Sequence, residues 1–475
     1  MLWAAALVLP ALVTQADVVF TCLYSFSGGN DGANPVAALV QGSDGNFYGT
    51  AEYGGAYTNQ FGIGYGTVFK ISATGALTTL YAFGTLTNAD GGPLDGAHPS
   101  AGLIQASDAY FYGTTGWGGT NGLYPFGTVF KITSNGALTT LHSFNGTDDG
   151  ANRAAALAQG SDGNFYGTTS GAAFQMTPAG VLTTLASLAW PSALVQGNDG
   201  YFYGTTYGTI DIDNINSFFP TFGTVFKISA NGALTTLYAF GTITNANGVP
   251  LDGANPIAGL VQGSDGNFYG TTKAGGDDSA YAYDGLGAVF EITTNGALKT
   301  LHSFTGNDGA NPVAALVQSS DGNFYGTTSG GQFFGNGTVF KISTSGTLTT
   351  LYHFGSITNA SGEALDGANP CAALVQGSDG NFYGTTSEGG TYGNGTVFRL
   401  TLVPEFQAVT LTKTTLNLTW STEAGSRYQL QYTSDLSSSN WTNLNGPITA
   451  TVATLNTTDS VTNAPQRFYR LVLVP

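Results

Sequence analysis

Charge is the scarcest commodity in this 475-residue chain: only 9% of residues are Asp, Glu, Lys or Arg. Twelve basic residues stand against 29 acidic ones, for a net charge of −17. No basic cluster exists, which excludes electrostatic binding to nucleic acid or to an anionic lipid surface. Cysteine is nearly absent as well. Cys22 and Cys371 are too few for a disulfide scaffold, and no CxxC or Cys/His spacing of a zinc site occurs. The four histidines, at 98, 142, 302 and 353, form no metal-binding pattern. The N-terminal apolar run from Leu2 to Val13 is too short to span a bilayer. Followed by small residues up to Ala16, it reads as a secretory signal peptide over residues 1–16 that lacks its basic start, so an extracellular protein is expected.

What the chain does have is 70 glycines, 24 tyrosines and 30 phenylalanines in a sequence that is 42% hydrophobic. That mixture favours many short strands joined by tight turns over disorder. It is organised as a repeat. SDGNFYGTT occurs at Ser161, Ser264, Ser320 and Ser378, with close variants at Ser43, Ser107 and Asn198. Each copy carries four apolar segments. In the fifth they are Ile257–Gly263, Asn267–Thr272, Gly287–Ile292 and Ala297–Phe304. All are six to eight residues long, rich in Val, Ile, Thr, Phe and Tyr, and bounded by Gly, Asn or Asp. None shows a 3.6-residue period over helical length, so each predicts a strand. Asp-Gly between segments one and two, and Asn-Gly pairs such as Asn135-Gly136 between three and four, predict hairpins with type I′ turns.

The chain ends predict how the sheets are arranged. The last copy has a third segment, Gly395–Leu400, but no fourth, whereas Val18–Phe26 near the N-terminus aligns with the fourth segments. An N-terminal strand can complete the last sheet only if first and last units are neighbours. The expected fold is therefore all-β: a seven-bladed β-propeller over 17–403, closed by its N-terminal strand, followed by a small β-sandwich over 405–475. The repeated motif then needs no chemistry. Asp-Gly turns the chain, the aromatic pair faces both sides of the sheet, and the following Gly admits a side chain of the neighbouring blade. Cys22 on the outermost strand and Cys371 on the innermost are too far apart to bond, and two free, mostly buried thiols are expected.

Length variation is confined to the connections from strand two to three and from strand four to the next strand one, which emerge on one face. Variable loops on a rigid scaffold are where binding usually resides. The strand two–three loops supply the candidate ligand-binding aromatics Tyr53, Tyr57, Trp117, Tyr124, Phe218, Phe219, Tyr281 and Tyr283. Such side chains suit sugars, peptides or a partner protein, or else pack on one another to order Gly-rich loops. The other connection carries DGANP or a relative, placing Asp31, Asp95, Asp149, Asp252, Asp308 and Asp366 around the channel mouth. Their recurrence favours turn chemistry over a cation site. The fourth blade has LAWPSA (Leu188 to Ala193) instead. Three longer loops beginning at Thr87, Thr244 and Thr358 hold Asn and Asp enough to raise calcium as a ligand, but without EF-hand spacing, and no cofactor is expected.

DGANP, LVQGSDGNFYGTT, GTVFKI and GALTTLYAF, over residues 18 to about 402, resemble the GloVer tandem-repeat family of Gloeobacter and Verrucomicrobia. The tail, with YQLQYTSDLSSSNWTNLN and QRFYRLVL, resembles a fibronectin type III-like module, with Trp420, Tyr428, Trp441 and Tyr469 as expected core. The resemblance implies export, often with a C-terminal anchor, of which LVLVP shows no sign. It implies no activity, and no catalytic residue is carried over. The expected function is a secreted, non-catalytic binding or scaffold protein, a monomer engaging a polysaccharide or protein partner. The alternative is an extracellular propeller enzyme of sugar lyase or lactonase type, for which only His98 lies in a mouth loop.

Overall fold

The structure, a computed structural model, describes residues 18–474 apart from 121–125, 148, 151–154, 209–221, 247, 278–284, 331–334, 403–405, 423–426, 436–439, 452–453 and 462–465. The described residues are all-β, with no helix. Two compact units are present, Phe20–Leu400 and a second carrying Thr401–Pro475.

The first unit holds seven four-stranded antiparallel sheets. Six are meanders of consecutive strands, the first being Val40–Gln41, Phe47–Ala51, Thr67–Ile71 and Leu77–Ala82. The seventh has Val375–Gln376, Phe382–Thr386 and Thr396–Leu402, and its fourth strand is Val18–Ser25 from the other end of the chain. Phe26 N–H donates to Gly395 O at 3.0 Å, continuing that pairing.

Three details differ from the sequence reading. Strand one of each sheet pairs over only two residues, not seven. The preceding apolar residues (Val36 to Leu39 in the first sheet) lie against the neighbouring sheets as a wall, alternating between half-buried and buried. The hairpins are not type I′. Gly45 N–H donates to Gly42 O at 2.9 Å and Gly42 N–H to Asn46 O at 2.8 Å, and only Gly45 is left-handed, at φ 79°. This is a three-residue loop, a type I turn followed by one left-handed residue, so Asp44 is spared an unfavourable backbone. Finally, the Gly within FYGTT is kept small by its own sheet. A Cβ on Gly49 would meet Phe69 and Leu39 at 2.6 and 2.7 Å.

The core lies between sheets. Tyr48, Val68 and Phe83 of the first pack with Leu103, Phe111 and Phe130 of the second, and Phe47 and Phe69 of the first pack with Phe26, Tyr383 and Val397 of the seventh. One contact repeats seven times and returns to its start. Tyr48 stacks on Phe111, Tyr112 on Phe165, Tyr166 on Phe202, Tyr203 on Phe268, Tyr269 on Phe324, Tyr325 on Phe382, and Tyr383 on Phe47, with centroids 3.8 to 4.2 Å apart. A second cycle runs beside it. The first Thr of each GTT or GTA donates to a carbonyl at the start of the next sheet, from Thr50 to Ala101 O at 3.2 Å round to Thr385 to Ala37 O at 3.1 Å. Gln41 accepts from Ser378 N–H at 2.8 Å across the same junction, as Gln105 does from Ser43 at 2.9 Å between sheets one and two.

In the second unit, Phe406–Thr412, Thr415–Ser421 and Thr454–Ser460 form one sheet. Arg427–Thr433, Phe468–Val474 and two short strands form another. Leu418 and Trp420 of one meet Tyr428, Leu430 and Leu471 of the other in a single core. Tyr469 flanks it, while Trp441 is half-buried beneath the Arg470 guanidinium, 4.3 Å from its ring, and is not core.

Candidate functional site

Antiparallel order places both long connections of each sheet at one end. Isolated bridges tie the two together: Ala33 pairs with Tyr53, Ala97 with Trp117, Ala254 with Ala274 and Ala368 with Glu388. The DGANP segment therefore runs beside the start of the strand two–three loop in register, and positions 53, 117, 274 and 388 are equivalent.

The six carboxylates are spent on structure. Asp95, fully buried, accepts from Tyr81 OH at 2.7 Å, from Gly84 and Thr85 N–H at 3.0 Å, and from Leu86 N–H at 3.3 Å. Asp252 and Asp366 are held alike by Tyr238 at 2.8 Å and Tyr352 at 2.6 Å plus two or more loop N–H groups. Asp31 is bound to Tyr24 at 3.0 Å, and in two sheets histidine takes the tyrosine's place, His142 on Asp149 at 2.8 Å and His302 on Asp308 at 2.7 Å. Each carboxylate thus turns back to the outer strand of the sheet it follows instead of ringing an open mouth. Burial raises the Asp308 pKa, but the bonds from His302 and Thr305 outweigh it and hold the group below its ordinary value.

The next position but two is also built on strain. Gly32, Gly253, Gly309 and Gly367 are left-handed, and so are the residues two places on: Asn34, Asn255, Asn311 and Asn369, at φ 52–57°. Asparagine tolerates this conformation. In two sheets it is replaced, by His98 at φ 53° and by Trp190 at φ 49°.

Of the aromatics singled out from sequence, Tyr53, Tyr57 and Trp117 are exposed, at 37, 43 and 49%. Tyr124, Phe218, Phe219, Tyr281 and Tyr283 lie outside the described residues. Self-packing is partial: Tyr57 and Tyr65 cover Gly84, and Tyr65 is buried. Sequence reasoning missed Phe61 (78% exposed), Trp190 and Tyr392 on the same face. Trp190 was hidden because its segment lacks the DGANP spelling while keeping its geometry. Its N–H donates to Ser170 O and its carbonyl accepts from Tyr207 N–H, as the carbonyl of Asn34 accepts from Glu52.

His142, His302 and His353 sit on outer strands and His98 at the mouth. Both cysteines are free thiols, but Cys22 is exposed and Cys371 half-buried, against the expectation of burial. The outer strand leaves one face of Cys22 open to a cleft of about 850 Å³, lined also by Tyr24, Asn30, Asp31 and Tyr392. Its Tyr24 and Asp31 are bound to each other. Among the described residues no group of three or more His, Cys, Asp or Glu is disposed to hold a metal ion, and no helix is long and apolar enough to cross a membrane.

The profile of the Gloeobacter/Verrucomicrobia repeat matches over residues 12–207, 95–250 and 190–435. The chain belongs to this repeat family. No curated protein sequence matches it. Among solved structures, virginiamycin B lyase from Staphylococcus aureus aligns at 15% identity and a TM-score of 0.50, covering 82% of this chain and 99% of that one. A catalytically inactive form of that lyase with quinupristin aligns at 16% and 0.51, covering 82% and 100%. The extracellular domain of a hybrid two component system from B. thetaiotaomicron aligns at 12% and 0.48, covering 85% and 45%. At these identities the lyase shows a β-propeller-like fold for the family member and nothing of its chemistry.

Proposed function

We propose that this chain is a secreted, non-catalytic binding or scaffold protein, and that its seven sheets are the blades of a closed propeller latched by Val18–Ser25. The face bearing the long connections engages a polysaccharide, peptide or surface partner, and the second unit is a fibronectin type III-like module. The protein acts as a monomer outside the cell.

One observation carries the reading. Large apolar side chains are concentrated, exposed, on the connections of one face (Tyr53, Tyr57, Phe61, Trp117, Trp190, Tyr392), while the carboxylates that recur there are already saturated by tyrosine, histidine and backbone donors. A rim of exposed aromatics over a rigid scaffold is suited to recognition. Each of these acids already accepts from two or more donors of its own connection and outer strand, which suits a structural role better than an acid–base one.

The test is affinity electrophoresis and array binding of the full chain, in a Cys22→Ser, Cys371→Ser background. A bulky maleimide polymer is attached through Gln60→Cys on the looped face or through Thr74→Cys on the clipped one. Binding blocked only by the first label is the expected result. Equal blocking by both, or by neither, overturns the assignment of the face.

A further inference from the structure

The seven lead-ins to strand one are so alike that departures from the repeat stand out, and apart from Arg153 and Trp190, ahead of the third and fourth sheets, they gather where the seventh, first and second sheets meet. His98 occupies a position that is Asn in most sheets, Tyr53 and Trp117 occupy a register that is Ala in the fifth, and Glu52 and Glu388 bring carboxylates beside them. We propose that this sector is a subsite for a neutral sugar residue of a glycan chain. The proposal rests on the binding reading above and names the ligand class of one part of that face.

The fold does not ask for an imidazole at position 98. The backbone there does what Asn34 does: its N–H donates to Tyr65 O at 2.8 Å and its carbonyl accepts from Gly116 N–H at 3.0 Å, matching 2.9 and 3.1 Å at Asn34. Even the side-chain bond is imitated. Asn34 and Asn311 each donate to the carbonyl of a loop residue on the preceding sheet, Ser387 and Lys273, at 3.0 Å, and His98 Nδ1 lies 3.2 Å from the equivalent Glu52 carbonyl. That contact requires a hydrogen on Nδ1. Burial lowers the His98 pKa and keeps the ring neutral, so Nε2 is left as an acceptor, further from the backbone than an asparagine amide reaches.

The surroundings point the same way. The Tyr53 ring meets the His98 ring edge to face at 5.0 Å, and Trp117 pairs by its backbone with Ala97, next to His98, with its side chain half in solvent. Asn34 brings Glu52 and Glu388 into the same sector: its side chain donates to the carbonyl of Ser387, next to Glu388, at 3.0 Å, and its own carbonyl accepts from Glu52 N–H at 3.1 Å. The sector therefore offers aromatic faces plus acceptors. A sugar ring presents C–H surfaces to the first and hydroxyl donors to the second. A uronate, sulfate or phosphate brings negative charge toward two carboxylates on a chain of net charge −17, and is refused.

The experiment is affinity electrophoresis of the full chain in gels containing xylan, mixed-linkage β-glucan, galactomannan or amylopectin, and in parallel polygalacturonate or heparin. His98→Asn restores the residue of the repeat and keeps the fold. His98→Asn and Trp117→Ala should each weaken retardation by a neutral polymer about tenfold, the scale of one lost hydrogen bond or stacking contact, while Thr74→Asn, on the clipped face, leaves it unchanged. Retardation by the acidic polymers as strong as by any neutral one, or a neutral interaction indifferent to His98→Asn and Trp117→Ala, overturns the subsite. Binding only to peptides, still blocked by the Gln60→Cys label, overturns the subsite and leaves the face. No binding to any probe on that face overturns both.

Discussion

At the scale of single residues the molecule is held by carboxylate–phenol pairs. The Asp of each SDGNFYG copy is a local turn device: Asp44 accepts from Asn46 N–H at 3.1 Å, Asn46 Nδ2 at 2.8 Å and Tyr48 OH at 2.8 Å. Burial raises its pKa, yet the bonds from Asn46 and Tyr48 prevail and it falls below the ordinary value, as do those of Asp162, Asp308 and Asp321. Depressed carboxylates contribute stability that is complete above the unfolded-state pKa of about 3.9 and lost as pH falls through the folded values. The phenols shift the other way. Tyr24 and Tyr166 are pushed up to about 12, first by burial and then by their aspartates, and stability from them is present below pH about 10 and lost as pH rises beyond it. The melting temperature should therefore be flat only from about pH 7 to 8, decline modestly below about 6.5, where buried His98 must charge, and above about 8.5, where the Cys371 thiol must ionise, and fall steeply below about 4 and above about 10. A steady slope through neutrality would contradict this. Asp95→Ala strands buried donors and should cost about 3 kcal/mol in denaturant unfolding, Tyr81→Phe about 1.5 kcal/mol. The pairing itself was not legible from sequence. The partner lies 7 residues before Asp31 but 14 before Asp95, Asp252 and Asp366, because three of the connections carry an insertion between strand and aspartate. The strand register is constant while the sequence interval is not.

At the scale of elements, the number of strands per repeat and their order were readable, since Gly-marked turns and six-residue apolar segments repeat in phase. The extent of strand one was not. LVQG and the residues before it are apolar because the neighbouring sheets cover them, and hydrophobic patterning reports burial, not hydrogen-bond pairing. The turn type was misread for a related reason: Asp-Gly and Asn-Gly suit more than one loop length, and a Ser, Thr or Asn before the pair lets the loop take three residues. The N-terminal strand is the element with most at stake. Phe20 stacks on Tyr352 at 4.2 Å and Phe26 is fully buried against Phe69. Phe26→Ala should destabilise the first unit by about 3–5 kcal/mol. Removing Val18–Phe26 should lower the melting temperature and expose the seventh sheet's edge to self-association, with a peptide of that sequence restoring the monomer in size-exclusion chromatography.

At the scale of the whole molecule, seven near-identical junctions recur between sheets, one of them joining the two ends of the repeat region. In a closed ring that junction carries the same load as any other. Phe47→Ala, at the junction of seventh and first sheets, should cost the same as Phe268→Ala, within the range of about 3–5 kcal/mol for a buried phenylalanine. In an open array Phe47 would lie on a free end and its loss would be cheap. The rim was legible only in part: the repeat shows where loops lengthen, but the residues that set His98 and Trp190 apart are single substitutions at a left-handed position that no spacing betrays. The most direct measurement of closure is a pairwise cross-link in solution. In a Cys22→Ser, Cys371→Ser background, Gln41→Cys with Ser378→Cys is compared with Gln105→Cys and Ser43→Cys, the equivalent contact between sheets one and two. The ring requires a short dithiol reagent to bridge both pairs within the monomer at similar rates. Bridging of 43 to 105 without bridging of 41 to 378 would show that the circle is not shut.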